Sequence, residues 1–238
     1  MTDEKLLYEG KAKNVYQAEN ADEVLMVYKD QATAFNGKKK EILPGKGVLN
    51  CQISMLVFDY LIKNDIKTHL VKNLSDHEQL VKKTDVFPLE VVLRNITSGS
   101  LVKKFQIKEG QKLSDPIIEF YYKSDELDDP FINESQIHAL GIADRQEVEI
   151  IKGQALKINQ LLIPFFNKAN FDLVDFKLEF GKYNGKIILV DEFSPDNCRL
   201  WDQTSHHSMD KDVFRKQEGD LVETYHDVLQ RLQAVEEK

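Results

Sequence analysis

LVDFKLEFG, residues 173–181, is the most informative segment of the chain. It places Asp175, Lys177 and Glu179 two residues apart, with apolar residues between them. Because successive side chains of a strand point to opposite faces, the three charges would share one face and the apolar residues the other. A half-exposed strand with a solvated face fits this pattern, and so does a strand that lines a polar cleft. The spacing alone does not distinguish the two.

A hairpin is predicted directly after this strand, because Asn184 and Gly185 are a strong turn signal before the apolar segment KIILV. With a two-residue loop, Asp191 would pair with Leu178 and face the apolar side. With a three-residue loop of residues 183–185, Asp191 would fall opposite Lys177 on the charged face. We prefer the second register, because it also turns alternate apolar residues of the second strand toward the core.

In the preferred register two carboxylates, Glu179 and Asp191, converge with Lys177 between them. Hard oxygen ligands in this number suit Mg²⁺, which takes one or two protein carboxylates together with phosphate oxygens and water. A ladder of cross-strand ion pairs would use the same residues. The spacing leaves both interpretations open.

The composition is that of a globular protein with an acidic surface. The 238 residues include 32 Lys plus Arg against 40 Asp plus Glu, for a formal net charge of -8. This charge argues against a nucleic-acid partner, which needs a cationic face. No apolar run approaches the ~20 residues of a membrane helix, and the first residues do not resemble a signal peptide. We therefore expect a cytoplasmic protein without a membrane partner, with Cys51 and Cys198 as free thiols rather than one disulfide.

The order of elements predicts an α+β fold. Short strands dominate the first part of the chain, and apolar residues at helical spacing predict helices over residues 48–63, 146–168 and 220–237. A strand-rich front and a helix-containing back indicate two lobes, and a cleft between lobes is a usual place for a ligand.

Two turns have the composition of phosphate-binding sites. Residues 10–13 (GKAK) combine a tight turn, which exposes backbone N–H groups, with two lysines, although a solvated basic turn would look the same. Arg94 precedes a small-residue turn, 97–100, that opens a helical segment; such a helix start can bind an anion, but Ser98 or Ser100 can equally be an ordinary helix cap. No Walker A sequence is present.

Five segments together resemble the SAICAR synthetase (phosphoribosylaminoimidazole-succinocarboxamide synthase) family: GKAKNVY, PLEVVLRNITSGSLVKK, LVDFKLEFG, DEFSPDNCRLWD and MDKDVFR. The resemblance implies an ATP- and Mg²⁺-dependent ligase that joins L-aspartate to the carboxylate of carboxyaminoimidazole ribonucleotide (CAIR), with release of ADP and phosphate. It also implies an α+β, two-lobed fold related to ATP-grasp, with ATP in the cleft between the lobes. The catalytic unit would span residues 1–238, with a small ATP-binding lobe at about 1–85 and a larger substrate lobe at 86–238.

The resemblance also implies roles for individual residues. Lys177, Glu179 and Asp191 would be catalytic, and the two acids would hold Mg²⁺. The ATP-binding residues would be Gly10, Lys11, Ala12, Lys13, Lys82 and Glu90. The substrate-binding residues would be Arg94, Ser100, Lys123, Asp175, Asp196, Arg199 and Arg215. Residues 35–47 resemble a flexible loop of the family and receive no role, and self-association, with a dimer favoured, is expected.

Two other functions compete with the ligase. A kinase-like phosphotransferase would use Asp191-Glu192-Phe193 in place of a D-F-G segment, but the sequence lacks the H-R-D catalytic loop. A nucleotide sensor without activity would be expected to have lost a charged cleft residue, whereas Lys13, Lys177, Glu179 and Asp191 are all present.

Overall fold

A computed structural model describes residues 5–34 and 39–236 of the chain. Residues 35–38 of the expected loop at 35–47 lie outside the described residues. The rest of that segment is partly regular, because residues 39–42 form a strand and a helix begins at Lys46.

The chain alternates strands and helices. The strands are β1 (Leu6–Glu9), β2 (Lys13–Gln17), β3 (Glu23–Tyr28), β4 (Gln31–Ala34), β5 (Lys39–Ile42), β6 (Leu70–Asn73), β7 (Glu78–Lys82), β8 (Asp85–Val86), β9 (Leu89–Ile96), β10 (Lys112–Tyr122), β11 (Phe131–Ile132), β12 (Phe171–Tyr183), β13 (Lys186–Val190) and β14 (Cys198–Asp202). The helices are α1 (Lys46–Lys63), α2 (Gly99–Phe105), α3 (Glu134–Ala139), α4 (Arg145–Lys168), α5 (Asp212–Lys216) and α6 (Leu221–Glu236), with a 3₁₀ turn at Asp125–Leu127. This mixture of antiparallel sheet and helix confirms the α+β prediction.

Three sheets organise these strands. A five-stranded antiparallel sheet has the order β1-β2-β3-β7-β6, and β4 pairs with β5 as a separate ribbon. A seven-stranded sheet has the order β11-β10-β9-β12-β13, in which β14 and β8 also pair with β12. β12 is therefore the strand on which the larger sheet is built, since four other strands pair along its length.

The predicted helices are confirmed to within two residues at each end. α4 begins with a capping box, in which the Asp144 side chain accepts from the backbone N–H of Glu147 and the Glu147 side chain accepts from that of Asp144. Its apolar stripe, including Val148, Ile151 and Ile158, is fully buried in the main core with apolar residues of β9 and β12. Each such side chain contributes about 1.5–3 kcal/mol of burial free energy, so tertiary packing fixes the helix against the back of the sheet.

The division into lobes at residue 85 stays a prediction. The five-stranded sheet has its own small cluster of buried residues, which includes Val24, Met26 and Val81. However, apolar residues of α1, such as Ile53 and Phe58, belong to the core of the larger sheet. α1 thus joins the two sheets.

The preferred hairpin register is wrong. Tyr183 pairs with Lys186 and Glu179 pairs with Val190, so the loop has two residues. Asn184 and Gly185 have φ of 49° and 73°, and positive φ at both central residues is typical of a type I′ turn, whose twist matches that of the strands. The burial argument for the other register failed because consecutive residues 188–190 of β13 are all buried.

Both cysteines, Cys51 and Cys198, are buried and free, as expected. In residues 5–34 and 39–236, no helix is both long enough and apolar enough to cross a membrane.

Candidate functional site

The charged face of β12 is buried, not solvated. Asp175 and Glu179 are 4% and 3% exposed. Lys177 lies between them and points its ammonium at three carboxylates: Nζ is 2.7 Å from Glu179 Oε1, 3.0 Å from Glu90 Oε1 and 4.0 Å from Asp191 Oδ2. Burying this much charge is costly unless the charges are paired, as they are here. We call this paired set of Lys177, Glu179, Glu90 and Asp191 the polar wall.

Asp191 reaches this wall by a route that the register argument did not foresee. It follows the last residue of β13 and has φ of 67°, a left-handed conformation that Asp tolerates better than most residues. Its Oδ1 accepts a 2.5 Å hydrogen bond from Lys13 Nζ. The backbone conformation, rather than strand pairing, therefore brings Asp191 beside Lys177.

The lysines keep Asp191 ionised. Burial by itself would raise the pKa of Asp191, but the charges of Lys13, Lys177 and Lys123 outweigh it and hold that pKa below its ordinary value. Burial would likewise lower the pKa of Lys177, but Glu179, Glu90 and Asp191 raise it well above its ordinary value. At neutral pH both signs of charge are present and mutually stabilised.

A cavity of about 710 Å³ lies between this wall and the turn joining β1 and β2. Gly10 closes the turn by donating its N–H to the Lys13 carbonyl at 2.8 Å. A Cβ on Gly10 would lie 2.7 Å from that same carbonyl oxygen, so only glycine fits. Lys11, Ala12 and Lys13 line the cavity together with Lys123, whose Nζ donates to Glu179 Oε2 at 2.6 Å.

A second cavity, of about 430 Å³, lies on the other side of Lys177. Its lining includes the predicted substrate residues Arg94, Ser100, Asp175, Asp196, Arg199 and Arg215. The two cavities share the side chains or backbone of Lys11, Ala12, Glu90, Lys177, Asp191 and Glu192. They therefore adjoin along the Lys177–Asp191 wall.

Two arginines are held at the second cavity by one acid. Asp175 is the register partner of Arg94 on β9 and of Arg199 on β14. Its Oδ2 accepts from Arg94 at 3.0 Å and from Arg199 at 2.9 Å. Arg94 also donates to Glu119 at 2.7 Å and to Ser100 Oγ at 2.9 Å. The pair of guanidinium groups is thus oriented before any ligand binds.

Gly99 brings the start of α2 against Arg199. It has φ of 56°, and a Cβ there would lie 2.7 Å from the Arg199 guanidinium nitrogen NH2. The turn of residues 97–100 therefore lies next to a guanidinium cation, which is consistent with the prediction that this turn binds an anion.

Several residues of the site were missed from sequence. Lys46 and Tyr225 bind Asp196 from outside the cavity, and Lys211 and Glu192 line it. Burial lowers the pKa of Lys211, and Asp196, 3.7 Å away, offsets this only in part. The sequence signal for Lys46 was weak, because a lysine in a Gly-Lys-Gly loop is usually solvated.

One predicted site residue lies apart from the others. Lys82, at the end of β7, donates to the Thr68 carbonyl at 2.9 Å and lies 5.6 Å from the centre of the Tyr183 ring. Among the described residues it lines neither cavity. Its assignment to ATP stays a prediction.

The donor set at the wall fits Mg²⁺ in one respect. Within the described residues, no three His, Cys, Asp or Glu side chains are arranged as a metal site. Glu179 and Asp191 supply two carboxylates, a number that suits an ion bound mainly through phosphate and water. Asp191 Oδ2 lies 4.0 Å from Lys177, beyond hydrogen-bond distance, whereas both Glu179 oxygens accept from lysines.

Comparison with known proteins gives one consistent result. The family model described as SAICAR synthetase matches residues 6–232. The phosphoribosylaminoimidazole-succinocarboxamide synthase of Latilactobacillus sakei is 57% identical over 96% of this chain and 95% of its own. A crystal structure of the synthase from Ehrlichia chaffeensis superposes with a TM-score of 0.94 at 45% identity, covering 97% of this chain and 99% of the other. A SAICAR synthetase in complex with ADP superposes with a TM-score of 0.92 at 47% identity, covering 95% and 97%.

Proposed function

The chain belongs to the SAICAR synthetase family, and we propose on that basis that it is an ATP-dependent ligase of purine biosynthesis. It condenses CAIR with L-aspartate to give SAICAR, ADP and phosphate. The observation that carries the proposal is the pair of adjoining cavities that share the Lys177–Asp191 wall. Two substrates bound on either side of this wall would meet at it.

The reaction needs such a meeting point. A carboxylate resists attack by an amine because its oxygen is a poor leaving group, so it must first be activated. A CAIR carboxylate oxygen attacks the γ-phosphorus of ATP and ADP leaves; the aspartate amine then attacks the acyl carbon and phosphate leaves. The first step requires alignment and neutralised charge more than covalent help from the protein.

The cavity at the β1–β2 turn is the proposed ATP site. The turn offers Lys11 and Lys13 with its backbone. Lys123, which was predicted to bind substrate, lines this cavity instead of the second one and adds a third cation. A triphosphate there would compete with Asp191 for Lys13 and with Glu179 for Lys123. The lysines would then neutralise the phosphates as they now neutralise the acids.

The second cavity is the proposed CAIR site. Arg94, Ser100 and Arg199 form its anion-binding end and would hold the ribose phosphate. Asp196, at its wall, can accept from the amino or ring groups of CAIR, and Arg215 adds a cation. Lys177 is then placed to neutralise the carboxylate of CAIR or the phosphoryl group that it receives.

Glu179 and Asp191 are the proposed Mg²⁺ residues. When bound, the ion would neutralise charge on the ATP phosphates. Calorimetric titration with ADP, with and without Mg²⁺, tests the assignment without turnover. Mg²⁺ should tighten ADP binding to the wild type and have little effect on Glu179→Gln, while Glu223→Gln, on the exposed face of α6, should behave as the wild type. Equal tightening in all three proteins would end the assignment.

Cytoplasmic location and self-association, with a dimer favoured, complete the proposal. Light scattering from the purified chain measures its mass in solution directly. A mass equal to one chain at the concentrations used for assay would exclude the dimer.

Phosphate release from Mg·ATP, CAIR and L-aspartate, with each component omitted in turn, tests the activity. Release that requires all of them, together with stoichiometric SAICAR, is the expected result. ADP formation without aspartate, with the γ-phosphoryl group either transferred to CAIR or released to water as phosphate, would favour the kinase-like alternative.

A further inference from the structure

Lys46 is a fully buried lysine, and its burial is not explained by contact with either cavity. It is 0% exposed, and it lines neither the 430 Å³ nor the 710 Å³ cavity. A buried lysine is costly unless it is closely paired. Its partner is Asp196, whose Oδ2 lies 2.5 Å from Lys46 Nζ.

Asp196 is held by residues of two helices and by the residue that precedes a third. Lys46 comes from the first turn of α1, and Tyr225 of α6 donates its hydroxyl to Asp196 Oδ1 at 2.7 Å. Lys211, the residue before α5, lies 3.7 Å from Oδ2. The carboxylate itself forms part of the wall of the second cavity. Lys46 and Tyr225 do not line this cavity, so they contact Asp196 from the side that faces away from it.

The same face of α1 is polar over three turns. Lys46, Asn50 and Ser54 follow one another at four-residue spacing and are all buried. Ser54 Oγ accepts from the backbone N–H of Phe193 at 3.2 Å. A buried helix face would ordinarily be apolar. Here Lys46 and Ser54 both bond to the loop of residues 191–197 that carries Asp196, whereas Asn50 Oδ1 accepts no hydrogen bond among the described residues.

The first turn of α1 is itself tightly located. Gly47 donates its N–H to Asp30 Oδ1 at 2.9 Å. A Cβ on Gly47 would lie 2.9 Å from the carbonyl carbon of Lys29, so the helix start is packed directly against the end of β3. Lys46 therefore extends from a fixed point.

We propose that Lys46 is a positioning residue that fixes the carboxylate of Asp196 in the orientation met by the substrate in the second cavity. It touches Asp196 and not the substrate. This inference rests on the proposed function, because it takes CAIR as the ligand whose amino or ring N–H groups Asp196 accepts. Tyr225 fixes the other oxygen, so the carboxylate keeps one rotamer and one charge state.

The test compares Lys46→Met with the wild type in CAIR kinetics and ADP binding. We expect kcat/KM for CAIR to fall by about 10²-fold, the loss typical of a displaced reacting group. ADP affinity should change less than about twofold, because Asp196 lies outside the nucleotide cavity. The control is Lys152→Met, which removes a lysine of α4 that is paired with Glu134 and Glu149. It should leave kcat/KM for CAIR and ADP affinity unchanged.

The pH profile separates positioning from a general loss of structure. The titratable or charged groups that face Asp196 are Lys46, Lys211, Tyr225 and Cys198. Burial would raise the pKa of Asp196, and Lys46 is the largest influence that holds it below its ordinary value. Removing Lys46 should therefore move the acid limb of kcat/KM for CAIR to higher pH, and Lys46→Arg should move it back.

A double variant keeps the test valid if Lys46→Met folds poorly because Asp196 has lost its nearest cation. Lys46→Met combined with Asp196→Asn removes both charges and restores a neutral pair. If Lys46 acts through Asp196, the double variant should have the same kcat/KM for CAIR as Asp196→Asn alone.

Multiplied losses in the double variant, or unchanged CAIR kinetics in Lys46→Met, would overturn the inference and leave the ligase intact. A wild-type protein without CAIR-dependent turnover would overturn the proposed function and, with it, the inference.

Discussion

Arg199 illustrates how few atoms decide whether the second cavity can hold an anion. Its guanidinium group bonds to Asp175 and Asp212, at 2.9 Å and 3.1 Å, and packs against the Cα of Gly99. Burial would lower its pKa, but the neighbouring acids raise it, so the group stays charged throughout the accessible pH range. Its position is therefore the property that a substitution can change.

Gly99→Ala should displace this guanidinium group. The new Cβ would lie 2.7 Å from the NH2 nitrogen, and the positive φ adds about 1 kcal/mol of strain. We expect the KM for CAIR to rise about tenfold or more, with ADP affinity unchanged, since Gly99 does not line the 710 Å³ cavity proposed to bind the nucleotide. Steady-state kinetics and ADP calorimetry check this. Equal losses for both ligands would indicate a general disruption instead.

His69 is a buried imidazole whose protonation is coupled to the stability of the fold. It is 4% exposed, and burial lowers its pKa to about 4. Above about pH 6.5 the imidazole is neutral in both folded and unfolded chains. As pH falls toward 4, the unfolded chain takes up the proton first, so stability is lost across this window, by an amount on the order of 3 kcal/mol.

The His69→Gln variant should lack the part of the pH-dependent loss of unfolding free energy that comes from protonation of His69. Urea unfolding at pH 7 and at pH 4.5 should give a smaller loss of unfolding free energy in His69→Gln than in the wild type. Asp210 changes stability in the opposite direction over this range, since burial raises its pKa to about 7, but it does so in both proteins. His226→Gln, an exposed histidine of α6, should keep the wild-type pH dependence. A wild-type loss no larger than that of His69→Gln would contradict the expectation.

Among the elements, the β12–β13 hairpin depends on a turn that requires positive φ at two residues. Gly185→Ala places a Cβ at φ of 73° and should destabilise the fold by about 1 kcal/mol. Gly153, exposed within α4 with no atom near its missing Cβ, is the matched position, where alanine should stabilise by about 0.5–1 kcal/mol. Urea unfolding measures both changes, and kcat should be unchanged in each variant. The same sign of change at both positions would show that backbone conformation does not control stability there.

The elements could be predicted from local patterns, but their contacts could not. Helix α4 was found because its apolar stripe and its length are visible in the sequence. The hairpin register was missed because both faces of β13 are buried, which removes the alternation that sets register. Asp191 nevertheless lies beside Lys177, as predicted. Its position depends on its own left-handed backbone conformation, which the hydrophobic periodicity of the sequence does not indicate.

The site was predicted where the residues lie in one motif and missed where it depends on long-range pairing. Lys177 and Glu179 share a strand face, so their proximity follows from spacing alone. Lys46 lies 150 positions from Asp196 along the chain, and only the folded structure joins them. Lys82 was assigned to ATP by resemblance, and nothing in its local pattern indicates its contact with Thr68.

At the scale of the whole molecule, the two sheets meet through charge as well as through α1. Lys13 of the five-stranded sheet bonds to Asp191 and Glu192, which directly follow β13 of the seven-stranded sheet, at 2.5 Å and 3.0 Å. The small sheet has few buried residues of its own. Ligands that replace these ion pairs should therefore change the mobility of one sheet more than the other.

Hydrogen exchange followed by mass spectrometry can map this response. Mg·ADP should slow exchange in peptides that cover residues 26–31 and 123–129, because these segments border the 710 Å³ cavity and not the 430 Å³ cavity. CAIR alone should instead slow exchange in residues 94–100 and 199–215, which border the 430 Å³ cavity. Protection of both sets by either ligand would mean that the cavities act as one site, and protection of neither set by Mg·ADP would remove the nucleotide from the 710 Å³ cavity. Separate footprints that meet only near Lys177 are what a transfer of phosphate between two bound substrates requires.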